Sequence, residues 1–275
     1  MVEMFFPNGE LNFTESRHNV MALLSGPPSC GKTSLLFQFA LNASLGKSDA
    51  STNCRAVYIC NRCRIENNPP VLSQGIDAST DALKLIQMKY LDDDIGIMKY
   101  FAAFHMYDTF PLAVVVDDFG NFFDERTCRE RYDNARGRDL AMMRVLALCH
   151  NAMSYAKKKG GCKLLLSDTH HGDSPRLLFL YKRWINSIFT IKGDGMGSFL
   201  LSCNSTVKKV AKYSIAHQYL IFEGMVEDET NKHIDLVMVF DSISCLVLSP
   251  HQSTIGLIHN CLGGPYPMGP PTFYS

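Results

Sequence analysis

The chain has 275 residues, 46% of them hydrophobic and 20% charged, with 27 basic and 27 acidic side chains that cancel. A length of this order carries a full hydrophobic core, and a zero net charge excludes recruitment to nucleic acid or lipid by a global field, leaving such binding to local patches. No apolar run approaches the roughly 18 to 20 residues that cross a bilayer, the start MVEMFFPNGELNF lacks a basic region followed by an apolar segment, and ten cysteines lie scattered, most in apolar runs; an intracellular chain with reduced thiols and no membrane partner is expected.

Along the chain the apolar pattern switches between short β-rich runs and longer helical stretches, as in a sheet fed by crossover helices. Val20–Ser25 reads as a strand ending in a glycine loop, and Lys32–Ser44 as the helix that follows. Ala56–Cys60 is wholly apolar and therefore expected to be buried on both faces. Ile86, Met88 and Tyr90 alternate with Gln87 and Lys89, a short strand; Asp94 is placed to cap a helix running through Met106. Leu112–Val116 is an apolar strand ending in Asp117. Asp139 is placed to cap the next helix, which carries Met142, Leu146, Cys149 and Met153 at helical spacing and ends near Lys157–Gly161. Leu164–Leu166, Ser187–Ile191 and Phe199–Ser202 continue the strand series. Tyr219–Met225 and His233–Phe240 read as an antiparallel hairpin around the acidic turn Glu227–Asn231, and Ser244–Leu248 as a last strand. The expected class is α/β, a mainly parallel sheet flanked by helices with antiparallel edge strands toward the C-terminus. One domain over residues 1–261 is expected, with a disordered glycine- and proline-rich tail over 262–275.

The run MALLSGPPSCGKTSLLF contains G-x-x-x-x-G-K-T at Gly26, Gly31, Lys32 and Thr33, between an apolar strand and an amphipathic helix. That context identifies a triphosphate loop. The loop and helix start, Gly26, Pro27, Pro28, Ser29, Cys30, Gly31, Lys32, Thr33 and Ser34, are expected to wrap the phosphates of ATP. Lys32 reaches the outer phosphates and Thr33 ligates Mg2+. A second magnesium partner belongs at the end of a neighbouring buried strand. LAVVVDDFG supplies Asp117, which meets the metal through water, with Asp118 as its rival. Lys32 and Asp117 are therefore the candidate catalytic residues.

The order of these parts (phosphate loop, second strand, acidic strand, basic loop, helix, strand, second loop, edge strands) resembles the RecA-like P-loop NTPase core. LLSGPPSCGKTSLLFQFAL, AVYICNRC, LKLIQMKY with MKYFAAFH, and AVVVDDFGNFF resemble the ATPase subunit of the Shu-type recombination complex, a divergent recombinase paralogue associated with a SWIM-domain zinc-finger protein. The resemblance covers roughly Met21 to Leu200. It implies a nuclear DNA-repair protein that pairs with the SWIM-domain protein, binds single-stranded DNA, engages recombinase filaments and other paralogues, and supports homologous recombination.

In RecA-type ATPases a glutamate just past the second strand orients the attacking water. Here the corresponding run is Ile59, Cys60, Asn61, Arg62, Cys63, with Arg62 at the carboxylate position and Glu66 as a substitute if the loop folds back. A cation accepts no proton, and loss of a positioned base costs about 10² to 10⁴ in rate. ATP binding with slow, DNA-dependent turnover is expected. After Leu164–Leu166, where recombinases place a polar phosphate sensor, stand Ser167, Asp168, Thr169, His170 and His171.

The family's two DNA-facing loops map to Gly120–Arg138, with Arg126, Arg129, Arg131, Arg136 and Arg138, and Asp168–Arg183, with Arg176, Lys182 and Arg183. Lys208, Lys209 and Lys212 form a further cluster. Phe122, Phe123, Tyr132 and Tyr181 are candidates to stack on bases. Asp124, Glu125, Glu130, Asp133 and Asp139 offset the first loop's arginines. Cys60-x-x-Cys63 lacks the second ligand pair a structural zinc site needs. Met1–Phe13, with Phe5, Phe6, Leu11 and Phe13, is expected to be a docking strip for a partner. Two other readings use the same loop: an NTP-driven metabolic enzyme, which needs a working base, and an assembly subunit with a vestigial nucleotide site, which needs no Lys32–Thr33 pair.

Overall fold

The computed structural model describes residues 1–7, 9, 20–45, 56–77, 79–172, 177–204 and 209–227. The strands are β1 (Met21–Gly26), β2 (Ala56–Cys60), β3 (Leu72–Ser73), β4 (Ile86–Tyr90), β5 (Ala113–Val116), β6 (Lys163–Thr169), β7 (Ser187–Gly193), β8 (Ser198–Cys203), β9 (Lys209–Ala216) and β10 (Tyr219–Glu227). The helices are α1 (Lys32–Leu45), α2 (Arg62–Asn67), α3 (Asp94–Ala102), α4 (Arg126–Arg131), α5 (Ala135–Lys158) and α6 (Leu178–Tyr181). These elements fall within one compact unit, Met1–Asp228.

All ten strands join in one sheet of order β3-β10-β9-β8-β7-β1-β6-β5-β2-β4. From β7 to β4 every pairing is parallel, and from β7 outward to β10 the strands run antiparallel. Helices cover both faces, and the period of two along each strand sends alternate side chains to different layers. In β1, Met21 and Leu23 join the layer containing α3, α5 and α6, while Leu24 joins the layer containing α1 and the N-terminal turn. The fully buried runs of β2 and β5 follow from this double cover.

Four expectations change. The helix at 94–106 is capped by Asp93, whose carboxylate accepts from the Gly96 amide, and stops at Ala102 before a separate 3-10 turn over Phe104–Met106. The long helix begins at Ala135, capped by Asn134, rather than at Asp139. Tyr219–Glu227 pairs with Lys209–Ala216, a strand hidden in what reads as a lysine cluster. Phe5 and Phe6 are buried, Phe5 against Phe39 and Phe189 and Phe6 against Tyr213 and Phe222, so this part of the expected docking strip packs into the core instead. The reason lies in α1: the Asn42 amide donates to the Met4 and Phe6 carbonyls and fixes the segment. Leu11, Phe13, Lys208, the strands expected at 233–240 and 244–248, the domain limit at 261 and the tail 262–275 lie outside the described residues.

Candidate nucleotide site

The phosphate loop leaves β1 and enters α1 at the C-terminal ends of the parallel strands, where a doubly covered α/β sheet opens a crevice. Close packing explains its glycines. A Cβ on Gly26 would lie 2.7 Å from the Cys30 sulfur and 2.9 Å from Ile191 Cβ. Gly31 has φ +82°, and a Cβ there would lie 2.6 Å from Ile215 Cδ1. Tyr213 on β9 donates its hydroxyl to the Cys30 carbonyl at 2.7 Å, bracing the loop from behind. The Lys32 ammonium, buried at 8% exposure, donates to the Gly26 carbonyl at 3.0 Å and the Pro27 carbonyl at 2.7 Å. The loop therefore holds a cation folded back over its own mouth.

Asp117 lies at the end of β5, which is separated from β1 by β6, so the acidic strand is one position further out than the expected neighbour. The carboxylate still closes the gap. It accepts from Ser167 on β6 at 2.9 Å, from Tyr58 on β2 at 3.2 Å and from the Thr33 hydroxyl of the loop. Burial pushes its carboxyl above the usual range and the charge of Asp118 adds to this, while the three hydrogen bonds oppose it. A desolvated carboxylate bonded to a threonine at the start of a phosphate-loop helix is a donor set suited to a hard divalent cation such as Mg2+. Asp117 and Asp118 have different partners. Asp118 accepts instead from Arg64 at 2.8 Å, from Thr169 at 2.9 Å and from the Asn121 amide.

The loop and these strand ends enclose a cleft of about 800 Å³, lined by Pro28, Ser29, Gly31, Lys32, Thr33 and Ser34 from the loop and helix start. Asn61, Arg64, Asp117, Asp118, Thr169, His170, His171 and Ile215 also line it. Gly26, Pro27 and Cys30 do not line it. The first two lend their carbonyls to Lys32, and the Cys30 thiol is buried. Ser34 accepts from the Val71 amide at 3.0 Å and so also ties the helix to the segment before β3. His170 is buried, its Nδ1 2.6 Å from the Ser25 hydroxyl and its amide donating to the Gly26 carbonyl at 3.1 Å.

Neither position proposed past the second strand reaches this cleft. Asn61 caps α2 by accepting from the Arg64 amide, and the helix turns Arg62 outward to 61% exposure, over the Tyr90 ring at 4.5 Å. Glu66 is equally exposed and sits 3.8 Å from Arg62. Arg64, two residues on, faces the cleft and lies 3.5 Å from Glu125 as well as pairing with Asp118. No glutamate is among the lining residues. Sequence reasoning missed Arg64, Tyr58 and Ile215. Only Tyr58 left a signal, a hydroxyl inside an otherwise apolar buried strand, which requires a partner.

The basic loops are altered more. Gly120–Arg138 is mostly helical: a 3-10 turn over Phe119–Phe123, then α4 and the start of α5. Arg126 pairs with Glu130 at 2.6 Å, Arg131 with Asp94 at 2.6 Å and Asp93 at 3.3 Å, and Arg138 with Asp124 at 3.8 Å. Phe122, Phe123 and Tyr181 are buried in the core and are not stacking platforms. Arg129, Arg136, Lys182 and Arg183 are exposed, while Arg176 lies outside the described residues. Lys209 pairs with Glu3, and Lys212 with Asp194 and Glu223. Among the described residues no group of three or more His, Cys, Asp or Glu is placed to hold a metal ion, and no helix is long and apolar enough to cross a membrane.

No protein-family model matches the chain, and no curated protein matches it.

Proposed function

We propose that this chain is a RecA-like ATP-binding subunit with slow hydrolysis, a recombinase paralogue that pairs with a SWIM-domain zinc-finger protein and acts on single-stranded DNA in nuclear homologous recombination. The observation that carries the nucleotide part is the joined set of Lys32, Thr33 and Asp117 at the mouth of one cleft. Phosphates on the loop amides would draw Lys32 from its carbonyls, and Thr33 and Asp117 would hold Mg2+, which supplies charge neutralisation when bound. The mainly parallel sheet with antiparallel strands beyond β7 supports the RecA-like reading. So does the chain order of phosphate loop, second strand, acidic strand and the polar end of β6.

The DNA part rests on less surface than the sequence offered, since three of the eight candidate cations are held by carboxylates. Arg129, Arg136, Lys182 and Arg183 remain exposed for sequence-blind phosphate contact. With zero net charge, DNA affinity belongs to the pair rather than to this subunit alone.

Co-expression with the SWIM-domain protein tests the reading. The wild-type chain is expected to co-purify as a pair that binds single-stranded DNA, with binding that weakens as salt rises. Lys32→Ala, which removes the cation at the phosphate loop, is expected to weaken the pair at least tenfold when ATP is present. A chain that never pairs, or a pair whose DNA affinity is no greater than that of the SWIM-domain protein alone, would contradict it.

A further inference from the structure

The cleft has lost the expected glutamate at the end of β2, but it holds a second carboxylate. Asp117 is committed to the Thr33 side of the phosphate loop. Asp118 stands on the opposite flank. Its Oδ1 accepts from Thr169, and Thr169 is the residue that pairs with Gly26, the first glycine of the loop, in the β1–β6 ladder. The next residue, His170, donates its amide to the Gly26 carbonyl. One carboxylate therefore borders each end of the loop.

Several features aim Asp118 rather than leaving it as a turn residue. Its backbone has φ +55°, in the left-handed region that few side-chain-bearing residues enter and aspartate enters more readily than most. Its amide donates to the Ser167 hydroxyl at 2.8 Å, and that same hydroxyl donates to Asp117, so the two carboxylates are locked to one strand end. Arg64 and Asn121 fix the other oxygen. The Asp118 side chain keeps 23% exposure, so water reaches it. A carboxylate offers about four acceptor positions, and Arg64, Asn121 and Thr169 fill three. Strained backbone held by several neighbours clusters at functional sites.

We propose that Asp118 orients the attacking water in this cleft, in place of a carboxylate at the end of β2. The inference rests on the nucleotide reading above. The water oxygen forms a bond to the γ-phosphorus as the bond to the β–γ bridging oxygen breaks, and the electron pair of that bond leaves on ADP. One water proton stays on the new inorganic phosphate and the other passes to solvent. Asp118 contributes by accepting a hydrogen bond from that water. Arg64 and Thr169 are positioning residues, whose hydrogen bonds hold the Asp118 carboxylate in place.

Asp118→Asn is the direct variant, since asparagine tolerates the left-handed backbone. On the full-length chain three quantities are measured: affinity for a nonhydrolysable ATP analogue, phosphate release from ATP, and trapping of ADP by aluminium fluoride. Wild type is expected to bind the analogue, turn over slowly and form the trapped complex. Asp118→Asn should keep analogue affinity within about threefold, lose on the order of 10² in turnover and fail to trap ADP. Thr169→Val, which removes one donor while keeping shape, should lower turnover on the order of tenfold, and it provides the test should the first variant not fold. The proposal is overturned by an Asp118→Asn chain that hydrolyses and traps like wild type, or by a wild-type chain that binds the analogue but neither hydrolyses nor traps. A wild type that does not bind the analogue overturns the nucleotide reading as well, so the two failures are told apart.

Discussion

The two arginines after β2 show how much one or two positions matter. Residues i and i+2 on a helix lie about 200° apart, so when Arg64 faces the cleft Arg62 must face away. Sequence alone gave no means of choosing, because the choice depends on where α2 starts, and Asn61 sets that by capping it. We expect Arg62→Ala to leave ATP affinity and turnover within twofold of wild type. The guanidinium stacks on Tyr90 outside the cleft, and such an exposed contact is worth about 0.5–1 kcal/mol. Equilibrium titration and phosphate release on the purified variant check this, and a change above fivefold in either would place Arg62 in the site. The strand–loop–helix junction from β1 to α1 was legible because an apolar strand, two glycines and a helical run follow at fixed spacing. The different partners of Asp117 and Asp118 were not, because they come from distant positions such as Ser167 and Thr169.

Among the elements, β2 and β4 appear with the bounds their apolar patterns predict, Ala56–Cys60 and Ile86–Tyr90. Both are short and regular. The stretch 126–138 failed because more than half of its residues are charged and α4 buries only Cys128, so no apolar stripe marks it as helical. Ion pairs of Arg126 and Arg131 hold it in place of a core face. β9 failed because three lysines near its start read as a surface cluster while Ala211 and Tyr213 carry its buried face. The β9–β10 hairpin turns through His217 and Gln218, both with positive φ, at +50° and +65°. Two-residue hairpin turns of this kind favour Asn-Gly. Replacing the pair as His217→Asn with Gln218→Gly is expected to raise unfolding stability by about 1 kcal/mol, read as a higher denaturant midpoint at unchanged slope. A lower midpoint would show that these side chains are needed where they stand.

For the whole molecule, the class was readable because the alternation of apolar strands and helices dictates a doubly covered parallel sheet. What surface remains for partners was not. Phe5 and Phe6 looked available and are core, while three of the five arginines in the basic stretch pair with carboxylates. Long-range partners contribute to both outcomes, Asn42 in one case and, for Arg131, Asp93 and Asp94 in the other. The account depends most on a cleft that grips a triphosphate through Lys32 and the loop amides. Titration of the full-length chain with a fluorescent nonhydrolysable ATP analogue and Mg2+ tests this directly. Saturable binding is expected, weakened about 10- to 100-fold by Lys32→Ala, as loss of a charge-assisted hydrogen bond worth about 1.5–3 kcal/mol requires. No saturable binding to wild type, or the same affinity in Lys32→Ala, would contradict it.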